Sequence, residues 1–130
     1  MKFKSYPTAY EQLNAKQKEQ YNFHFASQKL MENGYDIVWL SNDWLGADFL
    51  AVREEETLKI QLKGRFTVDK KYIGKDLWVA FIEDGKIKLY KHDLAVSMLT
   101  ESMKSSVSWQ RGTYTWKVAS KHFDSIVSEL

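Results

Sequence analysis

The segment GADFLAVREEETLKIQLKGR, residues Gly46 to Arg65, is the most informative part of the chain. Its first half, Phe49 to Arg53, is an apolar run that favours a β-strand. Its second half, Thr57 to Lys63, alternates strictly between apolar and polar residues, which is typical of a strand with one buried face. The acidic residues Glu54 to Glu56 between the halves predict a turn, so the segment is expected to form a hairpin.

Pairing of these strands would bring three polar side chains together at the open end of the hairpin. Asp48 precedes the first strand, while Gln61 and Lys63 lie on the polar side of the second. Carboxylate and amide oxygens suit Mg²⁺, and a lysine supplies a positive charge beside a phosphate or an attacking water. The hairpin therefore predicts a metal site that handles phosphate. The alternative interpretation is the solvated polar face of an ordinary sheet.

The same arrangement resembles the core of the PD-(D/E)xK nuclease superfamily, which has a restriction-endonuclease-like fold. In that superfamily an acidic residue opens a hairpin, and an apolar strand ends in acid-x-Lys. The matching residues here are Asp48 and the run Gln61-Leu62-Lys63. Ala47 replaces the proline that often precedes the aspartate. Gln61 replaces the second acid, as in certain homing endonucleases associated with group I introns. The resemblance covers roughly Tyr21 to Tyr90.

This resemblance implies an α/β fold with a mixed central β-sheet flanked by helices. It also implies Mg²⁺-dependent hydrolysis of DNA phosphodiester bonds, with Mn²⁺ as a substitute ion. Asp48 would be the principal metal ligand, Gln61 would offer its carbonyl oxygen to the ion, and Lys63 would orient the attacking water. Because cutting both strands of a duplex generally needs two active sites, a homodimer or larger homo-oligomer is expected.

A long helix is predicted before the hairpin. Asn14 and Gln17 have the spacing of a capping box, and Gly34 stands where a left-handed C-cap is needed, so the helix should run from Ala15 to about Asn33. In the resembled superfamily this helix often contributes a glutamate to the metal site. Glu19 lies about one turn before that position and is a candidate further metal ligand. The alternative is an ordinary acid that favours the helix dipole.

The segment after the hairpin is basic. Arg65, Lys70, Lys71 and Lys75 surround Tyr72, and cations interleaved with an aromatic ring favour contact with a nucleic-acid backbone. We expect these residues to bind DNA near the scissile phosphate, although a solvated charged loop has the same composition.

Further strands and helices are predicted from local patterns. Strands are expected at Tyr35–Leu40, Leu77–Glu83, Lys86–Lys91 and Thr113–Val118, with a turn at Asp84-Gly85. Helices are expected at Thr8–Leu13, at Leu94–Thr100 and after Ser120, whereas Glu101–Ser108 carries no clear pattern. Arg111, Trp116 and Lys117 are candidates for an extended DNA surface, or for a core strand with two solvated cations.

Length and composition set limits on these interpretations. A chain of 130 residues fits one domain over residues 1–130. There is no cysteine, which excludes disulfides and thiolate-bound zinc and is compatible with the cytoplasm. No apolar run approaches a membrane span, and no signal peptide is evident, so no membrane association is expected. The net charge is only +2, so nucleic-acid binding would depend on local patches. The three histidines are scattered, which argues against zinc or Ser-His chemistry.

Two other functions stay open at this point. A nuclease-like domain with a neutral Gln61 could have lost catalysis and kept nucleic-acid or protein recognition. A small interaction protein could use its aromatic surface for assembly. The aromatic side of the long helix and the stretch from Trp109 to Trp116 are the candidate interfaces.

Overall fold

The structure, a computed structural model that describes residues 1–130, is organised around a mixed six-stranded sheet. In chain order the strands are β1 (Asp36–Trp44), β2 (Ala47–Arg53), β3 (Glu56–Leu62), β4 (Thr67–Asp69), β5 (Leu77–Glu83), β6 (Lys86–Lys91), β7 (Thr113–Thr115) and β8 (Ser128–Glu129). The main sheet has the order β1-β2-β3-β5-β6-β8, and β4 pairs with β7 in a separate ribbon. Only the β3–β5 pair of the main sheet is parallel.

The helices are short except for the first one. They are α1 (Ala15–Glu32), α2 (His92–Ser97), α3 (Glu101–Lys104) and α4 (Val107–Gln110), with 3-10 helices at Tyr10–Gln12, Lys70–Tyr72 and Lys121–Ile126. No helix combines the length and the apolar character needed to cross a membrane.

Helix α1 begins and ends where the sequence predicts. The Asn14 side chain accepts from the Gln17 amide at 2.8 Å, and the Gln17 side chain accepts from the Asn14 amide at 3.0 Å, so the capping box is complete. Gly34 follows the helix with φ of 87°, a conformation that costs glycine little. Ala26 and Leu30 then pack α1 onto one face of the sheet, in a cluster with Phe49 and other strand residues.

The opposite face of the sheet carries a second, more aromatic cluster. Phe66 lies at its centre, with ring centroids 4.1 Å from Tyr90 and 4.6 Å from Phe123. Trp109 is only 8% exposed, and the Trp116 ring meets Phe66 edge-on at 5.1 Å. Trp109 therefore belongs to the chain's own core, and Trp116 packs against that core while partly exposed.

The β2–β3 hairpin forms with a tighter turn than predicted. Arg53 pairs with Glu56, which leaves only Glu54 and Glu55 in the turn, and Glu54 adopts a positive φ of 54°. The pairing of Phe49 with Ile60 continues toward Asp48 and Gln61. The shorter turn thus still brings Asp48 to the C-terminal end of β3.

Strand β1 is longer than the predicted Tyr35–Leu40. The polar residues Ser41, Asn42 and Asp43 were expected to end it, but it runs to Trp44 and turns at Leu45-Gly46. The register with β2 shifts between Trp39 and Trp44, so the polar residues occupy an irregular part of the hairpin. Backbone pairing on both sides of this irregularity outweighs the weak strand preference of its residues.

The end of the chain differs most from prediction. The expected helix after Ser120 is a 3-10 helix followed by β8, because the free edge of β6 accepts residues 128–129 as a further strand. Glu101–Ser108 contains α3 and most of α4, capped by the side chains of Thr100 and Ser106. The predicted helix Leu94–Thr100 is α2, shifted toward the N-terminus, and β7 is shorter than Thr113–Val118.

Candidate active-site cleft

Asp48 is held at the open end of the hairpin by the backbone of the neighbouring strand. Its Oδ2 accepts a hydrogen bond from the Leu62 amide at 2.8 Å, and the residue is half-buried. Its other carboxylate oxygen has no hydrogen-bond donor within the protein. Asp48 therefore has a fixed position and one oxygen left for another partner.

Gln61 has the same combination of fixed position and spare oxygen. Its Nε2 donates to the Leu62 carbonyl at 3.2 Å, and its Oε1 accepts no hydrogen bond from the protein. The backbone of Leu62 thus orients both Asp48 and Gln61, one through its amide and the other through its carbonyl. Two hard oxygen donors result, which suits Mg²⁺ or Mn²⁺ chemically.

Both residues line a cleft between α1 and the sheet edge, with a volume of about 490 Å³. Glu19 of α1 lines this cleft too, as do Lys16, Gln20, Phe23, His24, Trp39 and Leu62. Glu19 is exposed and forms no ion pair, whereas Asp48 is half-buried. The helix thus brings Glu19, the predicted further metal ligand, to the same cleft.

Lys63 borders this cleft without lining it. It lies, with Glu19 and Leu62, in an adjoining cavity of about 340 Å³. Its ammonium stands 5.3 Å from the centroid of the Tyr72 ring, at a distance typical of a cation–π contact. The positive charge of Lys63 also acts on Asp48 and favours a lower pKa of its carboxyl group.

The surroundings of Asp48 disfavour the ionised form of its side chain. Burial raises the pKa of the Asp48 carboxyl, and the negative charges of Asp43 and Glu19 raise it further. The Leu62 amide and the Lys63 ammonium act in the opposite direction without cancelling the rise. A cation bound beside Asp48 would relieve this penalty.

Tyr72 is a buried support rather than an exposed stacking ring. It is 5% exposed and packs with Ala47 and Leu77, while the ammonium groups of Lys63 and Lys71 lie 5.3 and 5.1 Å from its ring centroid. The ring also approaches the turn between β1 and β2, since a Cβ on Gly46 would come within 3.2 Å of it. Tyr72 therefore positions cations and offers no free face to a base.

The other predicted DNA contacts surround this support. Arg65 and Lys70 are exposed, and the Lys70 ammonium lies 5.3 Å from the Trp109 ring centroid. Lys71 is 3.9 Å from the Asp69 carboxylate, and Lys75 is partly exposed. Of these cations, Lys71 shares the Tyr72 ring with Lys63, and none of the four lines the cleft.

Sequence reasoning missed two residues near Asp48. Asp43 was expected only to break a strand, and the irregular part of β1 instead carries its charge close enough to act on Asp48. Trp39 was predicted only as part of the strand Tyr35–Leu40, yet it is 53% exposed and lines the cleft. Its place opposite Phe49 could have been found only from the β1–β2 register, which local patterns do not give.

The side chains fit a hard divalent cation with few protein ligands. No group of three Asp, Glu, His or Cys side chains is arranged to hold a metal ion. Asp48 and Gln61 supply two oxygens, and Mg²⁺ commonly keeps several waters and binds through only one or two carboxylates. This donor set is compatible with the predicted ion, with Asp48 as its only half-buried acid.

The class of fold follows from the sheet and its flanking helices: an α/β domain with a restriction-endonuclease-like core, as predicted from the sequence. Among solved structures, the chain is similar to the bacterial homing endonuclease I-Ssp6803I, with a TM-score of 0.52. The likeness covers 83% of this chain and 78% of that chain, at 16% sequence identity. No protein-family model and no curated protein matches the sequence.

Proposed function

We propose that this protein is a metal-dependent endonuclease that hydrolyses DNA phosphodiester bonds in the cleft beside Asp48. The observation that carries the proposal is the pairing of Asp48 and Gln61 around Leu62, each with a spare oxygen, beside the Lys63 ammonium. The fold shared with a homing endonuclease adds support. No other cleft of the molecule combines a half-buried acid with an adjacent lysine and amide oxygen.

Each side chain has a distinct part in this proposal. Asp48 and Gln61 would hold Mg²⁺, or Mn²⁺ in its place, through their free oxygens, and Glu19, which lines the same cleft, would be a further ligand from α1. When bound, the ion lowers the pKa of a coordinated water and neutralises charge on the phosphate. Lys63, supported on Tyr72, orients the attacking water and stabilises the negative charge that builds in the transition state.

The DNA would approach along the basic surface next to Lys63. Arg65, Lys70, Lys71 and Lys75 would contact phosphates, with Tyr72 holding Lys71 in place. Cleavage of both strands of a duplex would need a second active site, so a homodimer or higher homo-oligomer completes the proposal.

Nicking of supercoiled plasmid DNA tests the function. The wild-type protein should nick the plasmid with Mg²⁺ or Mn²⁺ and not with EDTA. Asp48→Asn should reduce the rate by at least about 10²-fold, and Lys63→Ala by roughly 10²–10³-fold, because each removes preorganised electrostatic stabilisation.

Matched controls are a lysine and an aspartate that lie outside every cleft. Lys86 and Asp124 are exposed and line no cleft, so Lys86→Ala and Asp124→Asn should nick at the wild-type rate. The endonuclease proposal fails if nicking persists in EDTA, or if the control and site variants lose activity equally.

The second candidate function is a nucleic-acid-binding or protein-interaction module that has lost catalysis. What favours it is the absence of a three-acid metal group and the neutral Gln61 in place of an acid. Such a module would bind DNA with an affinity that falls as salt rises, and it would not nick DNA. Neither the affinity nor its salt dependence would change on adding metal or on introducing Asp48→Asn.

A further inference from the structure

Trp39 is a half-exposed aromatic residue on β1, the edge strand of the sheet. It lies on β1 directly opposite Phe49, which is fully buried, yet 53% of Trp39 remains exposed. A large ring that keeps half its surface in water contributes less to folding than its size allows. Whether this exposed surface has a role depends on what surrounds it.

The ring is nevertheless held in one place. Phe23 of α1 meets it edge-on, with centroids 4.4 Å apart, and Phe23 in turn meets Phe49 edge-on at 5.2 Å. This row of rings ties Trp39 to the core and leaves the rest of the indole facing outward. A fixed aromatic surface binds a flat ligand at low entropic cost, because little freedom is lost on binding.

The cleft that Trp39 lines has the size and chemistry of a nucleotide site. Its volume of about 490 Å³ falls within the range of roughly 300–1,000 Å³ that is usual for small-ligand pockets. Lys16, Gln20 and His24 line it from α1, and Gln61 lines it from β3. These groups offer a cation for phosphate and hydrogen-bonding groups for a base edge, next to the aromatic surface.

Trp44 provides a comparison within the same strand. It is 51% exposed, almost the same as Trp39, but it does not line the cleft. Its ring instead faces the Lys59 ammonium, 6.0 Å from the centroid. Exposure alone therefore does not single out Trp39; its place beside Asp48 does.

We infer that the cleft contains a subsite for one unpaired nucleotide, whose base stacks on the indole of Trp39. In an intact duplex both faces of a base are covered by its neighbours, so only an unpaired or extruded base can stack on a protein ring. The inference deepens the proposed function by naming its substrate class. That class is single-stranded DNA, or a duplex interrupted by a gap, flap or mismatch beside the cleaved bond.

Binding without catalysis tests the subsite. All measurements use Asp48→Asn protein in EDTA, so that neither metal nor cleavage is required, and follow fluorescence anisotropy of a labelled single strand of about 12 nucleotides. Adding Trp39→Leu should weaken binding about tenfold, whereas Trp44→Leu should change it less than twofold. Leucine preserves an apolar contact with Phe23, and Trp39→Phe should keep most of the affinity because it keeps a ring.

The second part of the experiment measures the affinity for a fully paired duplex of the same sequence. Its affinity should be the same for the Trp39→Leu and Trp44→Leu proteins, since neither ring reaches a stacked base. Equal weakening by the two substitutions, no weakening by Trp39→Leu, or equal weakening for duplex and single strand would each overturn the subsite. So would a change in the sedimentation of the free protein on Trp39→Leu, which would make this surface a contact between copies.

The binding test of the subsite and the cleavage test of the endonuclease proposal can fail independently. If the wild-type protein cleaves neither plasmid DNA nor the labelled single strand with Mg²⁺ or Mn²⁺, while the Trp39 and Trp44 contrast in binding persists, the subsite stands and hydrolysis does not. If nicking is observed and the contrast is absent, hydrolysis stands and the subsite does not.

Discussion

Two partly or fully buried aspartates, Asp48 and Asp69, have opposite surroundings. Asp69 is 8% exposed, and its carboxylate accepts from the Lys71 amide at 2.9 Å and from the Thr113 hydroxyl at 2.7 Å. Its own amide donates to Nε2 of the buried His92 at 3.0 Å. Asp48 instead has a single hydrogen bond, and burial raises the pKa of its carboxyl group.

The difference separates a structural acid from a candidate functional one. Around Asp69, the remaining ring nitrogen of His92 contacts Asp93 at 3.0 Å, and Asp93 accepts from the Gly74 amide, so the network is closed. Around Asp48, the second carboxylate oxygen and the Gln61 carbonyl oxygen have no protein partner. These two oxygens face an open cleft, where they are accessible to a ligand, whereas both oxygens of the Asp69 carboxylate already have protein partners.

Removing the two acids should have contrasting effects on stability. Asp69→Ala should lower the free energy of unfolding by about 2 kcal/mol, because it leaves buried donors without partners. Asp48→Asn should leave stability equal or higher, since an amide oxygen can still accept from Leu62 and no charge is buried. Urea unfolding measures both, with the exposed Asp124→Ala as the control. A larger loss for Asp48→Asn than for Asp69→Ala would reverse the assignment of the two acids.

Tyr72 contacts residues of both regions. Its ring meets His92 edge-on at 5.6 Å and supports the Lys63 ammonium at 5.3 Å. Tyr72→Leu should slow nicking about threefold to tenfold, less than Lys63→Ala does, because a cation–π contact is worth about 0.5–2 kcal/mol. Tyr72→Phe keeps the ring and should nick at nearly the wild-type rate. Equal loss in both variants would mean that the hydroxyl, rather than the ring, matters.

The smallest expected effect is the pH dependence of stability. Since the folded-state pKa of Asp48 is raised, the native state binds more protons than the unfolded state between the ordinary and the raised pKa. Asp48 therefore makes the free energy of unfolding fall as pH rises through that window. The advantage of Asp48→Asn over wild type should grow as pH rises above about 3.9 and then level off. Urea unfolding between about pH 3 and pH 7 measures it, and a constant difference would contradict the raised pKa.

The sequence predicts the hairpin region well because its signals are local. Alternation over Thr57–Lys63 and the acidic turn fix which residues of β3 face the core, and Asp48 follows from strand pairing. The capping box of α1 is equally local, since Asn14 and Gln17 are three residues apart. These features need no knowledge of distant parts of the chain.

What the sequence does not predict depends on contacts between distant residues. Strand β8 forms because the edge of β6 is free, and the Leu130 amide donates to the Ile87 carbonyl at 2.9 Å. Helices of four residues such as α3 show too little periodicity to be recognised. Trp39 lines the cleft and the Asp43 charge acts on Asp48 because of how β1 pairs with β2, which no local pattern encodes.

The most direct measurement is diffraction from crystals soaked in Mn²⁺, with anomalous scattering used to locate the ion. We predict an anomalous peak between the Asp48 carboxylate and Gln61 Oε1, lost in Asp48→Asn crystals and kept in Asp124→Asn crystals. A peak elsewhere, or none between these two side chains at a Mn²⁺ concentration that supports nicking, would contradict the metal site on which the proposed hydrolysis depends.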